Sequence, residues 1–308
     1  MLNTWNKYLG CFIGLAVGDA LGTTVEFQQP GSFPPVEDIV GGGIFDLNPG
    51  EWTDDTSMAL CLAESLVDRC GFDPMDQMSR YRRWFREGYL SSTGECFDIG
   101  NTVRAAILQF ERTGEGFCGS VHPSAAGNGS IMRLAPVPLF FMDYPHLAID
   151  YAVQSSKITH SAAECLDACR LLTVFIIGAL NGWTKERLMK PDAFRDWLQE
   201  DSLTPKIKEI ATGSYLQKEP PEIIGSGYVV KSLEAALWAF AKGNSFEEGV
   251  LLAVNLGNDA DTTGAIYGQI AGAYYGYDHI PKKWTGILAK RSFIEELSRH
   301  LYDHRYKD

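Results

Sequence analysis

The 308-residue chain is 45% hydrophobic and carries 39 Asp and Glu against 27 Lys and Arg, a formal net charge of −12. That apolar share supports a real core, and the acidic balance weighs against nonspecific binding to nucleic acid or to an anionic membrane surface. Seven scattered cysteines with no CxxC pair fit neither a disulfide framework nor a thiolate metal site, so a reduced, cytoplasmic compartment is expected.

In chain order, helical spacing predicts helices over 4–21, 55–68, 75–87, 99–112, 145–157, 162–181, 230–242, 246–256, 262–275 and 284–301. Strand-like alternation is scarce, and no low-complexity linker divides the chain. The expectation is one all-α domain over residues 1–308. Gly- and Pro-rich loops around 28–51, 113–130 and 215–228 read as surface or site loops. The apolar run Cys11–Val17 behind Lys7 has the look of a signal peptide, but Asp19 cuts it, and that reading is rejected. The apolar runs are expected to be too short or too interrupted to cross a membrane.

Two of the predicted helices share a pattern. The first carries Gly10, Gly14, Gly18 and Gly22; the second carries Gly264, Gly268 and Gly272, with Gly276 at its end. Glycine inside a helix costs roughly 1 kcal/mol relative to alanine, and positions i, i+4 and i+8 line one face. Such a face allows close backbone approach, so the two helices are expected to cross tightly in the core, on each other. That contact would bring the segment just before the second helix beside Glu26, which follows the first.

The segment before that second helix is one of two acidic clusters: Trp52-Thr53-Asp54-Asp55-Thr56 and Asn258-Asp259-Ala260-Asp261-Thr262-Thr263-Gly264. Their hydroxyls and carboxylates are hard oxygen donors, suited to Mg²⁺ or Mn²⁺ and ill suited to Zn²⁺ or copper. Helix capping is the competing reading, since Thr and Asp are good N-caps. A cap needs one oxygen, however, and crowded carboxylates repel unless a cation or protons compensate. Together the clusters could hold one or two divalent ions, a hydrolase layout.

Other candidates surround these clusters in sequence. Glu26, between Val25 and Phe27, becomes an acid–base group if buried and is otherwise a surface glutamate. Asp98 reads as an N-cap or as an acid facing the site. Gly127-Asn128-Gly129-Ser130 is a glycine-flanked turn whose N–H groups could cradle a phosphate, against an ordinary helix start. His160 could bond a phosphate or hydroxyl, against a packed residue at a helix junction. Gly227 and Tyr228 offer flexible backbone beside a ring that could stack on a base, against a plain loop tyrosine. No P-loop, dinucleotide fingerprint or Ser–His–Asp pattern stands out.

Seven stretches, GLAVGDALGTTVEF (14–27), WTDDTSMAL (52–60), CFDIGNT (96–102), GNGSIMRLAPVPL (127–139), THSAAECLDAC (159–169), GSGYVVKSLEAALWAF (225–240) and GNDADTTGAIYGQIAGAYYG (257–276), occur in one order and together resemble the ADP-ribosylglycohydrolase family, most of all its bacterial dinitrogenase-reductase-activating branch. The resemblance implies a compact, orthogonal all-α helical bundle with a central dinuclear metal cleft holding two Mg²⁺ or Mn²⁺. It implies ligands from Thr53, Asp54, Asp55, Asp259, Asp261 and Thr262, and a catalytic glutamate at Glu26. Gly127, Asn128, Gly129 and Ser130 would meet the diphosphate, His160 the ADP-ribose, and Gly227 and Tyr228 the adenosine end. Asp98 matches a site aspartate of the branch whose acceptor is arginine, and counts as both catalytic and substrate-binding. The implied activity is release of ADP-ribose from a modified side chain by hydrolysis at C1″ of the distal ribose. The partners implied are ADP-ribose and an ADP-ribosylated protein, met by a monomer without nucleic acid or membrane. Alternatives are serine-linked, acetyl-linked or nucleobase-linked ADP-ribose as substrate, an immunity role against an ADP-ribosylating toxin, and a non-catalytic relative.

Overall fold

The computed structural model describes residues 4–198 and 202–307. Fourteen α-helices follow one another within them. They are α1 (Thr4–Gly22), α2 (Asp54–Arg69), α3 (Pro74–Glu87), α4 (Asn101–Thr113), α5 (Pro136–Phe140), α6 (Pro145–Lys157), α7 (Ala163–Leu180), α8 (Lys185–Leu188), α9 (Pro205–Ala211), α10 (Val229–Lys242), α11 (Phe246–Val254), α12 (Ala260–Tyr275), α13 (Lys282–Ile287) and α14 (Arg291–Asp303). Extended pairing among the described residues is limited to isolated bridges, so the fold is all-α. Local chemistry sets many of the helix ends. Asp73 caps α3 by accepting from the N–H groups of Met75 and Asp76, Pro74 follows it, and Gly88 closes the helix in the left-handed region.

The glycine faces meet each other. A methyl group added at Gly18 would fall 2.0 Å from the Gly264 carbonyl oxygen, one at Gly14 2.3 Å from that of Gly268, and one at Gly10 2.4 Å from that of Gly272. The pairs run in opposite directions along the two helices, so α1 and α12 are antiparallel with their backbones in contact. At the end of this seam, a methyl at Gly22 would meet the Asp261 nitrogen at 2.3 Å. The backbone past the seam stays paired, with Phe27 N–H donating to the Asn258 carbonyl at 2.6 Å and Asn258 N–H to the Gln28 carbonyl at 2.6 Å. The packing of glycines thus delivers Glu26 to the acidic start of α12.

Around the seam lies the main core, in which Phe12, Trp52, Phe140, Tyr267 and Trp284 are buried. A smaller core of Met58, Met78, Tyr81, Trp84, Val103, Ile107 and Met132 ties α2, α3 and α4 together. It supports the segment that carries Asp98.

Two sequence expectations are corrected. The helix predicted over 284–301 is two helices, α13 and α14, with Lys290 at φ 50° between them. The break frees Ala289 N–H to donate to Gly50 O and the Ala289 carbonyl to accept from Trp52 Nε1, bonds that an unbroken helix would forbid. They pin the strand-like approach to Thr53. Second, Thr4–Val25 is long and apolar enough by composition to cross a membrane, contrary to the expected shortness of the apolar runs. Nearly all of that stretch from Lys7 onward is buried inside the fold, where its hydropathy serves the core. The short helices α5, α8 and α9 carried too few residues to show a period.

Candidate active site

A cleft of about 780 Å³ is lined by Glu26, Asp54, Asp98, Asp259 and Thr262 on one side and by Gly127, Asn128, Gly129, His160, Gly225 and Gly227 on another. The acids come from four places in the chain: the turn after α1, the start of α2, the loop before α4 and the start of α12. Asp55 and Asp261 lie directly behind them and are buried.

Capping does not explain the clusters. Thr53 and Asp259 occupy the N-cap positions of α2 and α12, yet neither side chain makes a cap hydrogen bond. The Thr53 hydroxyl lies 3.2 Å from Asp55 Oδ2 and 3.2 Å from Asp261 Oδ2, so it joins the two clusters. Thr262 Oγ1 lies 3.4 Å from Asp55 Oδ2. Asp98 is not a cap either, because Gly100 holds that position on α4.

Carboxylate oxygens of Asp19, Asp55 and Asp261 converge within 4.8 Å of one another, and so do those of Glu26, Asp98 and Asp261. Asp261 belongs to both groups. Burial raises the pKa of all these acids, and for Glu26, Asp54, Asp55, Asp98 and Asp261 neighbouring carboxylates add to it. Glu26 is pushed up to about 10 by burial and then by Asp98, Asp259 and Asp54. Asp98 rises to about 8 through burial and then Asp259 and Asp19. Asp54, Asp55 and Asp261 rise far above the carboxylate range for the same two reasons, burial leading, and Asp259 rises through burial. Among the described residues Asp55 Oδ1 and Glu26 Oε2 are buried without a hydrogen-bond partner. Crowded, desolvated oxygens with unused lone pairs are what a hard divalent cation would satisfy, so the residues fit one.

Asp19 was absent from the sequence-derived site and belongs beside it. Its Oδ1 accepts from Thr53 N–H at 2.9 Å and the Thr53 hydroxyl at 3.0 Å; its Oδ2 accepts from Thr56 N–H at 3.0 Å and the Thr56 hydroxyl at 2.6 Å. These four donors hold its pKa rise to about 6, against the full effect of burial. With both oxygens engaged, Asp19 positions the start of α2. The available signal was a lone acid inside an apolar glycine helix, which must be paired if buried.

The second side of the cleft is uncharged. Gly127 forms an antiparallel bridge with Tyr228, and Asn128 N–H donates to the Gly227 carbonyl at 3.1 Å. Asn128 Nδ2 donates to Asp259 Oδ2 at 2.5 Å and to Ser232 Oγ at 2.9 Å, so this side chain ties the two sides together. Ser130 is buried beside the lining residues, its hydroxyl accepting from Ser156 Oγ at 2.8 Å. The Tyr228 hydroxyl donates to Glu164 at 2.6 Å and accepts from Lys206 at 2.7 Å, while its neighbour Gly227 reaches the cleft. His160 lines the cleft with its imidazole held neutral: burial, then the charge of Arg133, push it down to about 3. Three non-glycine residues around the cleft, Phe27, Asp98 and Asn258, sit at φ 59°, 57° and 55°. Left-handed backbone of this kind costs of order 1 kcal/mol or more per residue and concentrates at functional sites.

Comparison with known proteins identifies the family and the fold. The sequence model of the family described as ADP-ribosylglycohydrolase matches residues 2–308. The ADP-ribosylarginine hydrolase Tri1 of Pseudomonas putida (strain GB-1) is 45% identical over 294 residues, 96% of this chain and 77% of the relative. The ADP-ribosyl-[dinitrogen reductase] glycohydrolase of Rhodospirillum rubrum is 33% identical, with 92% of this chain and 90% of the relative covered. A solved chain titled "ADP-ribosylglycohydrolase-related protein complex" superposes with a TM-score of 0.88 at 45% identity, covering 99% of this chain and all of that one. The chain belongs to the ADP-ribosylglycohydrolase family, a family of hydrolytic enzymes.

Proposed function

We propose that this chain is a divalent-metal-dependent hydrolase that removes ADP-ribose from arginine side chains of proteins. The observation that carries the reading is the convergence of two carboxylate groups on Asp261, with unpartnered oxygens on Asp55 and Glu26. It is supported by relatives named for arginine-linked ADP-ribose at 45% and 42% identity.

Thr53, Asp54, Asp55, Asp259, Asp261 and Thr262 would hold two Mg²⁺ or Mn²⁺. Bound there, such cations would supply positive charge against the carboxylates and the substrate's anionic and hydroxyl oxygens. Glu26 is the acid–base group: its carboxyl holds or accepts the proton exchanged when the C1″ bond is hydrolysed. Asp98 meets the guanidinium of the acceptor, a planar cation that pairs well with a carboxylate. The backbone of Gly127 and Gly129 lies where a diphosphate can approach without a side chain between, and His160 meets the ADP-ribose.

The test is to incubate the purified chain with arginine- and serine-ADP-ribosylated proteins in Mg²⁺ or Mn²⁺ and to quantify released ADP-ribose. Faster release from arginine is expected. Faster release from serine would overturn the acceptor assignment, and release from neither would overturn the activity.

A further inference from the structure

Behind His160 lies a buried cation that the site as described does not use. Arg133, Thr159 and His160 are 0%, 0% and 1% exposed. Among the described residues the guanidinium meets only uncharged partners. Arg133 Nη2 donates to Thr159 Oγ1 at 2.7 Å and to the Ser155 carbonyl at 3.4 Å, Nη1 lies 3.7 Å from the Met58 sulfur, and the group sits 4.6 Å over the Tyr81 ring. Its Nε has no hydrogen-bond partner. A buried charge without a counter-charge is costly, and its retention calls for a role.

The direction of the hydrogen bonds gives one. A guanidinium has no acceptor, so Arg133 must donate and the Thr159 oxygen must accept. The Thr159 hydroxyl proton is then free for His160 Nδ1, 2.9 Å away. The guanidinium charge on the same side also favours a lone pair at Nδ1 over an N–H. The proton of the neutral ring therefore belongs on Nε2. That edge of the ring lies under the glycine turn: a methyl at Gly127 would come 3.4 Å from Nε2, and one at Gly129 2.9 Å from Cε1 and 3.3 Å from Nε2. Only glycine at those positions leaves the ring edge uncovered.

We infer that Arg133 and Thr159 are positioning residues that lock His160 in the Nε2–H form, so that the ring presents a hydrogen-bond donor to an oxygen of the bound ADP-ribose diphosphate. The inference rests on the ADP-ribose reading of the cleft. It also gives the buried guanidinium a second effect, a positive potential on the side of the cleft opposite the acids, where an anionic ligand gains from it.

The experiment uses the full chain with ¹⁵N-labelled histidine, the His160 signals being assigned by their loss in His160→Gln. The wild type is expected to show protonated Nε2 and unprotonated Nδ1 before any ligand is added. Arg133→Met, which keeps an apolar stem of similar length, should move proton population onto Nδ1. It should also weaken ADP-ribose binding about ten- to hundred-fold, the loss of a hydrogen bond to a charged group. Thr159→Val should weaken binding likewise, and Thr159→Ser should retain it. A wild-type ring protonated at Nδ1, or Arg133→Met with an unchanged spectrum and unchanged affinity, would overturn the inference. If Arg133→Met does not fold, the Thr159 pair decides: wild-type affinity in Thr159→Val overturns it, and loss in Val with retention in Ser supports it. A wild type in the Nε2–H form that binds no ADP-ribose contradicts the functional reading while supporting the tautomer assignment.

Discussion

The two sides of the cleft are built on opposite electrostatic plans. The acidic side brings Glu26, Asp54, Asp55, Asp98, Asp259 and Asp261 together and, among the described residues, has no Lys or Arg in the cleft lining and leaves Asp55 Oδ1 and Glu26 Oε2 unpartnered. The uncharged side, around Gly127–Gly129, His160 and Gly225–Gly227, is satisfied as it stands by bonds such as Asn128 N–H to the Gly227 carbonyl and Thr159 to His160. On the proposed reading a divalent cation would complete one side, whereas the other is preorganised by protein groups alone. Substitutions should therefore separate into those that act through the metal and the reacting bond and those that act through the grip on the ligand.

The largest effect is expected at Asp261, which belongs to both carboxylate groups. Asp261→Asn should abolish ADP-ribose release while circular dichroism shows a folded protein; near-normal turnover would mean that the two groups do not share a ligand. Glu26→Gln comes next. It should keep ADP-ribose affinity and cut turnover by roughly 10² to 10⁴, and a rate near wild type would remove Glu26 from the proton transfer. Asp98→Asn should lower hydrolysis of the arginine conjugate about ten- to hundred-fold, the worth of a charge-assisted hydrogen bond. Binding of free ADP-ribose should change much less, and an equal loss of both would assign Asp98 to the ribose instead.

On the uncharged side, Gly129→Ala places a methyl 2.9 Å from His160 Cε1. Overpacking of this kind costs roughly 1–3 kcal/mol. The variant should bind ADP-ribose less tightly while calorimetry finds divalent-ion binding intact. Loss of both would join the sides that the comparison holds apart.

The smallest expected effect concerns stability and pH. In chelator the acids have folded pKa values above their unfolded ones, Glu26 at about 10 and Asp98 at about 8. The native state then binds more protons than the unfolded state, so stability falls as pH rises from about 4 through those values. The melting temperature in EDTA should be higher at pH 5 than at pH 8, and Mg²⁺ or Mn²⁺ should shrink the difference. A chelated protein that is more stable at pH 8 would show that the acids are compensated from within.

Much of this was legible in the sequence because it rests on periodicity. Four-residue glycine spacing in two helices fixed their mutual approach, and that approach alone carried Glu26 to Asp261. What stayed hidden depends on contacts between distant segments. The break at 288–290 exists because Ala289 bonds Gly50 and Trp52, which no local pattern encodes. Asn128 and Ser130 lie in a turn readable as an anion cradle, yet one side chain reaches Asp259 and the other Ser156. Asp19 and Arg133 each looked like one polar residue in a core stretch; their significance lies in which hydroxyls they meet.

The most direct measurement is ADP-ribose release from an arginine-ADP-ribosylated protein by the wild-type chain in excess EDTA and again after Mg²⁺ or Mn²⁺ is restored. No release in chelator and recovery with the metal is the expected result, because among the described residues no Lys or Arg lines the cleft to complete its acidic side. Full activity in EDTA would contradict the central claim that the converging carboxylates are a divalent-cation site.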